Sequence, residues 1–164
     1  MKSVLLIGLG RFGRHVARKL NEMNQQVLAV DKNEKRVVFM GNSITEGWVN
    51  THPDFFKSNG YIGRGIGGQT SYQFLVRFRE DVINLSPALV VINAATNDIA
   101  ENTGAYHEDR TFGNIVSMVE LAKANHIKVI LTTTLPAAAF GWNPAIKDAP
   151  QKIASLNARL KAYA

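Results

Sequence analysis

The sequence predicts a three-layer α/β fold built on a doubly wound, mainly parallel sheet. Short and almost wholly apolar segments, such as residues 4–7 and 88–94, are typical of strands buried on both faces of a parallel sheet. Segments with the apolar spacing of amphipathic helices alternate with them, which is the pattern of α/β proteins. The 164 residues suffice for one compact core, so we expect residues 1–164 to form a single domain.

The first predicted unit is a β-α-β segment of the size expected for a right-handed crossover. Its strand, helix and second strand are residues 4–7, 12–23 and 27–30. The polar residues 31–36 leave too little room for a crossover helix before the next strand, 37–40. The strands at 27–30 and 37–40 therefore form an antiparallel hairpin, lie apart in the sheet, or belong to different subunits.

Beyond residue 36 the alternation of strands and helices resumes. The predicted strands are residues 37–40, 61–66, 88–94 and 128–134, and the predicted helices are residues 71–84, 111–125 and 150–163. The strand at 88–94 is almost wholly apolar, so we expect it near the centre of the sheet. We expect strand 4–7 to fill the open edge beside strand 128–134, within one chain or by exchange in a homodimer or domain-swapped oligomer.

Composition and charge exclude several classes of function. The net charge is +6, of which residues 1–36 contribute +5 through eight Lys/Arg against three Asp/Glu. Aromatic residues do not interleave with these cations, so we expect no nucleic-acid partner. No apolar run suits a signal peptide or a membrane span, and we expect a cytoplasmic protein without a membrane partner. The absence of cysteine excludes disulfides and thiolate metal sites, and we predict no metal site.

Gly8-x-Gly10-x-x-Gly13 lies between the first predicted strand and helix. Gly8 permits the tight turn, Gly10 lets a backbone approach a pyrophosphate, and Gly13 lets the helix pack closely on the strand. The amides at the start of the helix then face the phosphates. Asp31, at the end of the second strand, is placed to accept hydrogen bonds from ribose hydroxyls. These four residues predict a nucleotide site.

Residues 2–36 resemble the opening of the regulatory RCK (TrkA-N type) domains of potassium transport systems, from Lys-Ser-Val-Leu-Leu-Ile-Gly-Leu-Gly to Val-Asp-Lys-Asn-Glu. The resemblance implies binding of NAD or an adenine nucleotide through Gly8, Gly10, Gly13 and Asp31. It then ceases abruptly. A complete pocket of this Rossmann-like kind also needs walls from later strands, so it is open whether nucleotide binding persists.

A second set of residues points to acyl transfer. Ser43 follows strand 37–40 at its carboxyl end, where α/β sheets place their sites. A serine nucleophile needs a base for its proton and preorganised donors for the oxyanion. Gly68 and Asn97, each after a later strand, offer a backbone N–H and a side-chain amide at the same edge. Alternatively Ser43 only caps a helix, since Ser43 and Glu46 have the spacing of a capping box.

From Arg36 to Ala164 the chain resembles the SGNH (GDSL-like) hydrolases, which are esterases and acyl hydrolases on a flavodoxin-like sheet. Gly-Asn-Ser-Ile-Thr-Glu-Gly, Arg-Gly-Ile-Gly-Gly-Gln-Thr-Ser and Ala-Thr-Asn-Asp match three blocks of that family in order. The resemblance implies that Ser43 is the nucleophile and an oxyanion donor, and that Gly68 and Asn97 are the other donors. Asn42 and Ala95 replace an Asp and a Gly that are usual in the family.

The fourth element of that family, Asp-x-x-His, does not occur in the 164 residues. His52 and His107 lie in predicted loops near the site, but we expect neither to act as the base. Two families that meet at residue 36 without a linker predict an engineered chimera with serine-hydrolase ancestry and no efficient activity. The alternatives are binding of a nucleotide at the glycine motif and weak hydrolysis of a small-molecule ester by Ser43.

Overall fold

The computed structural model of the protein describes residues 3–7, 15–16, 19–20, 22–23, 26–30 and 36–164. Strands β1 (Ser3–Ile7) and β2 (Gln26–Val30) pair in parallel and form a two-stranded sheet of their own. Both strands were predicted. Within one chain, the expectation that the first strand lies beside strand 128–134 is wrong, because β1 belongs to the sheet with β2, and strand 128–131 is the edge strand of a different sheet. Exchange of the first strand between two chains stays a prediction.

The larger sheet contains four strands, and every neighbouring pair is parallel. These strands are β3 (Val37–Gly41), β4 (Ile62–Gly65), β5 (Leu89–Ile92) and β6 (Lys128–Leu131), in the spatial order β4-β3-β5-β6. The predicted central position of the strand at 88–94 is confirmed, since β5 has a partner on each side. Strands β2 and β3 lie in different sheets, so they do not form the antiparallel hairpin that was one of the three options.

Six α-helices occur within residues 36–164. They are α1 (Ser43–Thr51), α2 (Pro53–Asn59), α3 (Ser71–Phe78), α4 (Thr96–Ile99), α5 (Glu108–Ala124) and α6 (Ala149–Tyr163). Helix α3 continues as a π-helical turn at Arg79–Ile83, so the predicted helix at 71–84 is two kinds of helix in succession. Helix α2 was not predicted, although Pro at its first position and Gly60 after its end are ordinary helix boundaries.

The two faces of the larger sheet are covered differently. On one face Val38 and Val90 are fully buried in the core with Phe74 and Phe78 of α3. Side chains alternate along a strand, so Phe39 points to the opposite face. There its ring packs against aromatic rings of α1, α2 and the residue before β4: Trp48, Phe56 and Tyr61. Helices on both faces give the predicted three layers.

No helix in the part of the chain that the structure describes is both long enough and apolar enough to cross a membrane.

Candidate active site

Ser43 is the first residue of α1 and is exposed at the carboxyl end of β3. The residue before it, Asn42, is 1% exposed and caps the helix, because its Oδ1 accepts a hydrogen bond of 3.0 Å from the backbone N–H of Ile44. The alternative in which Ser43 is the cap of a capping box is therefore wrong. The cap belongs to Asn42, which leaves the Ser43 hydroxyl free of that structural task.

The loop after β4 brings Gly67 against the start of α1. A Cβ atom at position 67 would lie 2.9 Å from Oε2 of Glu46 and 3.7 Å from Cβ of Ser43. The backbone N–H of Gly67 donates to the same Glu46 oxygen at 2.9 Å. Gly68 follows with φ of +75°, a conformation that residues with a side chain rarely adopt. The backbone of the loop thus passes close to Ser43 at Gly67, and the positive φ at Gly68 favours glycine there.

Asn97 lies in α4, after β5, and is 4% exposed. Its Nδ2 donates to the carbonyl of Gln69, the residue after Gly68, at 2.9 Å. Ala95, where the GDSL-like pattern usually has glycine, adopts φ of +84° in the left-handed region. Backbone strain at Ala95 therefore accompanies the turn into α4, the helix whose Asn97 contacts the glycine loop.

Arg77 of α3 fixes the ends of the strands that carry the site. Its Nη2 donates to the carbonyl of Gly41, the last residue of β3, at 3.2 Å. The same atom donates to the carbonyl of Arg64, the next-to-last residue of β4, at 3.1 Å. Its Nε donates to Oε1 of Gln69 at 2.7 Å. One guanidinium thus connects both strand ends to the glycine loop.

Ser43, Gly68 and Asn97, predicted from separate segments, therefore meet at one edge of the sheet through the contacts of Gly67 and Gln69. The predicted nucleotide residues Gly8, Gly10, Gly13 and Asp31 lie outside the residues that the structure describes. Among the described residues, no group of three or more His, Cys, Asp or Glu side chains is arranged to hold a metal ion.

The sequence did not reveal two carboxylates at this edge of the sheet. Glu46, expected to serve a helix cap, holds Gly67 instead. Asp98 is only 9% exposed and accepts hydrogen bonds from Ser71 and Thr111. Burial raises the pKa of the Asp98 carboxyl above 3.8, and the hydrogen bonds from Ser71 and Thr111 offset part of this effect. The hydrogen-bond partners of Asp98 are distant in sequence, so no local sequence pattern predicts these contacts.

The histidines lie away from Ser43. His52 is at the far end of α1, about 13 Å along a helix axis from its first residue. His126 precedes β6 and lines a cavity with the first residues of β5 and β6, at the opposite edge of the sheet. His107 is the N-cap residue of α5 and lines a cavity with Asp98 and Thr70, and neither Ser43 nor Gly68 lines that cavity. His15 is exposed in the N-terminal part.

An exposed serine thus lies beside a glycine loop and an asparagine at the carboxyl edge of a parallel sheet, and serine acyl-transfer enzymes need groups of these kinds. The sequence matches the model of the GDSL-like Lipase/Acylhydrolase family over residues 39–164, and the chain belongs to that family. It also matches the TrkA-N domain over residues 4–49, which supports the resemblance noted for residues 2–36.

Solved structures with the same fold include two from Bacteroides. The protein is 89% identical to a candidate acylhydrolase from Bacteroides fragilis NCTC 9343, with a TM-score of 0.80, over 92% of this chain and 70% of that one. It is 75% identical to a GDSL-like lipase from Bacteroides thetaiotaomicron VPI-5482, with a TM-score of 0.79, over 90% and 72% of the two chains.

A curated relative is the uncharacterized lipoprotein YqeF of Bacillus subtilis strain 168, which is 32% identical over 117 residues. The match covers 61% of this chain and 48% of the relative, so the chain spans about half the length of that protein.

Proposed function

We propose that residues 37–164 form the nucleophile and oxyanion half of an esterase site. Ser43 Oγ attacks the ester carbonyl carbon, and the carbonyl oxygen becomes an oxyanion that Gly68 N–H and the Asn97 side chain stabilise. The observation that carries this proposal is the approach of Gly67 to Ser43, together with the hydrogen bond from Asn97 to Gln69. These contacts bring together three segments that are far apart in the sequence.

The proton of the Ser43 hydroxyl has to leave as the new bond forms, and a histidine is the usual acceptor. None of the described histidines lies beside Ser43, as their positions on the fold indicate. We therefore propose that this polypeptide hydrolyses esters slowly. Loss of the histidine costs about 10⁶-fold in a well-characterised serine protease, and binding and the oxyanion donors leave about 10³–10⁴-fold over water.

The chimera hypothesis explains why a TrkA-N match and a GDSL-like hydrolase match occur in one chain. The TrkA-N match ends at residue 49 and the hydrolase match starts at residue 39, so the two matches overlap over residues 39–49, in β3 and α1. We propose that residues 1–36 derive from the first family and residues 37–164 from the second.

Hydrolysis of p-nitrophenyl acetate tests the esterase proposal. We expect slow turnover by the wild type, loss of the enzymatic component in Ser43→Ala, and no change in the control Ser58→Ala, whose serine is also exposed. Added imidazole should raise the Ser43-dependent rate, measured as wild type minus Ser43→Ala at each imidazole concentration. Equal rates for wild type and Ser43→Ala would reject the serine mechanism. A kcat in the ordinary range of about 1–10³ s⁻¹ would reject the missing base.

Nucleotide binding is the second candidate, and the TrkA-N match over residues 4–49 favours it. We propose that the Gly8, Gly10 and Gly13 backbone holds the phosphates and that Asp31 holds the ribose. Titration calorimetry with NAD, ATP and AMP at millimolar concentrations should give heat with the wild type and weaker binding with Asp31→Ala. An absence of heat and of any thermal shift with all three would dispose of this function.

A further inference from the structure

Asp98 is a buried carboxylate that the proposed attack does not use. It follows Asn97 in α4 and is 9% exposed. A carboxylate is kept in such surroundings only when hydrogen bonds replace the water that it has lost.

The Asp98 carboxylate receives its hydrogen bonds from two other helices. The backbone N–H of Ser71 lies 3.1 Å from Oδ1 and 3.0 Å from Oδ2, and the Ser71 hydroxyl donates to Oδ1 at 2.5 Å. The Thr111 hydroxyl of α5 donates to the same oxygen at 3.3 Å. Asn114, also of α5, donates through Nδ2 to the Ser71 hydroxyl oxygen at 3.0 Å. One carboxylate thus connects α3, α4 and α5.

Ser71 is also the end of the glycine loop. The loop's own carbonyls are held from the same side, since Asn97 donates to the Gln69 carbonyl and Asn102 donates through Nδ2 to the Gly68 carbonyl at 3.1 Å. On the other side of Gly68, Glu46 accepts from the N–H of Gly67. With its carbonyls and its end bound in this way, the loop has one orientation of its peptide planes. The direction of the Gly68 N–H depends on those planes.

We propose that Asp98 is a positioning residue, which locks the loop at residues 67–71 to α4 so that the Gly68 N–H and the Asn97 amide face one oxyanion. The inference rests on the proposed function of Ser43, Gly68 and Asn97. A carboxylate suits this task because it only accepts, and the Ser71 donors contact both of its oxygens. An asparagine there would present an NH₂ donor to one of them.

The first test measures the loop directly. Amide order parameters from ¹⁵N relaxation are compared for wild type, Asp98→Asn and the control Asp109→Asn, whose side chain is 95% exposed. We expect S² of Gly67 and Gly68 to fall from about 0.85 to below about 0.6 in Asp98→Asn alone, while Val90 of β5 keeps its value. A folded Asp98→Asn protein with the wild-type order parameters in this loop would overturn the proposal.

The second test uses phenylboronic acid, whose boron bonds the serine oxygen while the boron-bound oxygen occupies the place of the oxyanion. Boron keeps its two hydroxyls and gains the Ser43 oxygen as its fourth bond, and the proton of the Ser43 hydroxyl goes to the solvent, so the adduct needs no other reagent. By ¹¹B NMR we expect an adduct with wild type and Asp109→Asn, none with Ser43→Ala, and at least tenfold weaker binding with Asp98→Asn.

The outcomes separate the two claims. Wild-type binding by Ser43→Ala, or no adduct with any variant, contradicts the proposed function, and the order parameters then decide about Asp98 alone. Loss in Ser43→Ala with wild-type binding in Asp98→Asn contradicts only the positioning role. If Asp98→Asn does not fold, Thr111→Val and Ser71→Ala each remove one donor to the carboxylate. Both should weaken the adduct and lower S² at Gly68, and an unchanged loop in both would overturn the proposal.

Discussion

Ser43 and Ser71 each open a helix at the carboxyl edge of the same sheet, yet their surroundings are opposite. Ser43 is exposed, and its neighbour Asn42 caps α1 in its place. Ser71 is 0% exposed, donates its hydroxyl to Asp98 and accepts from Asn114. The Ser71 hydroxyl is committed to two side-chain partners, the buried Asp98 and the half-buried Asn114, whereas the Ser43 hydroxyl has no capping task.

Two parts of this edge of the sheet therefore differ in burial and in hydrogen bonding. On the side of the proposed oxyanion donors, Asn97 and Ser71 are buried and Gly68 is exposed, and the loop between Gly67 and Ser71 is held by hydrogen bonds from Asn97 and to Asp98. Ser43 is open to solvent, and the cavities lined by His107 and by His126 do not include it. In the proposed function, residues 64–114 orient the donors and the acceptor of the Ser43 proton is the missing group.

We expect the largest effect on stability when the buried Asp98 carboxylate, which accepts the hydrogen bonds of Ser71 and Thr111, is removed. Asp98→Ala leaves the Ser71 N–H and hydroxyl and the Thr111 hydroxyl without their acceptor. Each unsatisfied buried group costs about 1–3 kcal/mol, so we expect a loss of about 3 kcal/mol or more in the free energy of unfolding. Urea denaturation measures it. The control Asp109→Ala, an exposed ion-pair partner of Arg159, should change stability by less than about 1 kcal/mol. Similar losses in both variants would contradict the assignment of the network.

Substitution of the two serines tests the comparison itself. Ser71→Ala should lower the free energy of unfolding by about 1–2 kcal/mol, because two buried hydrogen bonds are lost. Ser43→Ala should stay within about 0.5 kcal/mol of the wild type, since its side chain is exposed. Thermal and urea unfolding of the two variants side by side give the answer, and equal destabilisation would remove the distinction drawn here.

The pH dependence of stability sharpens the same contrast. Burial raises the pKa of Asp98 above its value of 3.8 in an unfolded chain, so the native state holds this proton more tightly. The stability from this group is fully present below pH 3.8 and is lost as the pH rises through the raised pKa. Relative to Asp98→Asn, the wild type should gain stability as the pH falls from 7 toward 4. Urea titrations of both proteins at several pH values test it, and a constant difference would contradict the raised pKa.

The smallest effect concerns Ala95. Its φ of +84° is favourable for glycine, and relief of this strain is worth about 1–2 kcal/mol. The residue is 2% exposed, however, and loss of its buried methyl group costs about 0.8 kcal/mol. We expect Ala95→Gly to raise the free energy of unfolding by less than about 1 kcal/mol, measured by urea denaturation. A clear destabilisation would mean that packing of the methyl group outweighs the strain.

Much of the fold could be predicted from local patterns, because apolar runs and helical spacing are short-range signals. The strands at 88–94 and 128–134 were placed correctly but are shorter, ending at Ile92 and Leu131. The identity of the α1 cap could not be settled by spacing, since both Asn42 and Ser43 are good capping residues. The hydrogen bond from the Ile44 N–H to Asn42 Oδ1 decides for Asn42, and Glu46 binds Gly67 of the glycine loop.

Ser43, Gly68 and Asn97 could be selected from the sequence because each segment carries its own chemistry, and their catalytic roles stay predictions. The contacts that orient these residues could not be predicted, because they join positions far apart in sequence. Asp98 and Ser71 are 27 residues apart, and Asn97 and Gln69 are 28. Such pairs follow from the parallel topology, in which consecutive strands end at the same edge, and no periodicity in the chain reveals them.

We expect the fluorescence of Trp142 to be coupled to the glycine loop through Asn102. Its indole is 61% exposed, and its Nε1–H donates to Oδ1 of Asn102 at 2.8 Å, while Nδ2 of Asn102 holds the Gly68 carbonyl. The protein has one other tryptophan, Trp48, in the aromatic cluster on the far face of the sheet. With Trp48 replaced by phenylalanine, the emission of Trp142 becomes a fluorescent reporter of movement in the glycine loop, without any added dye.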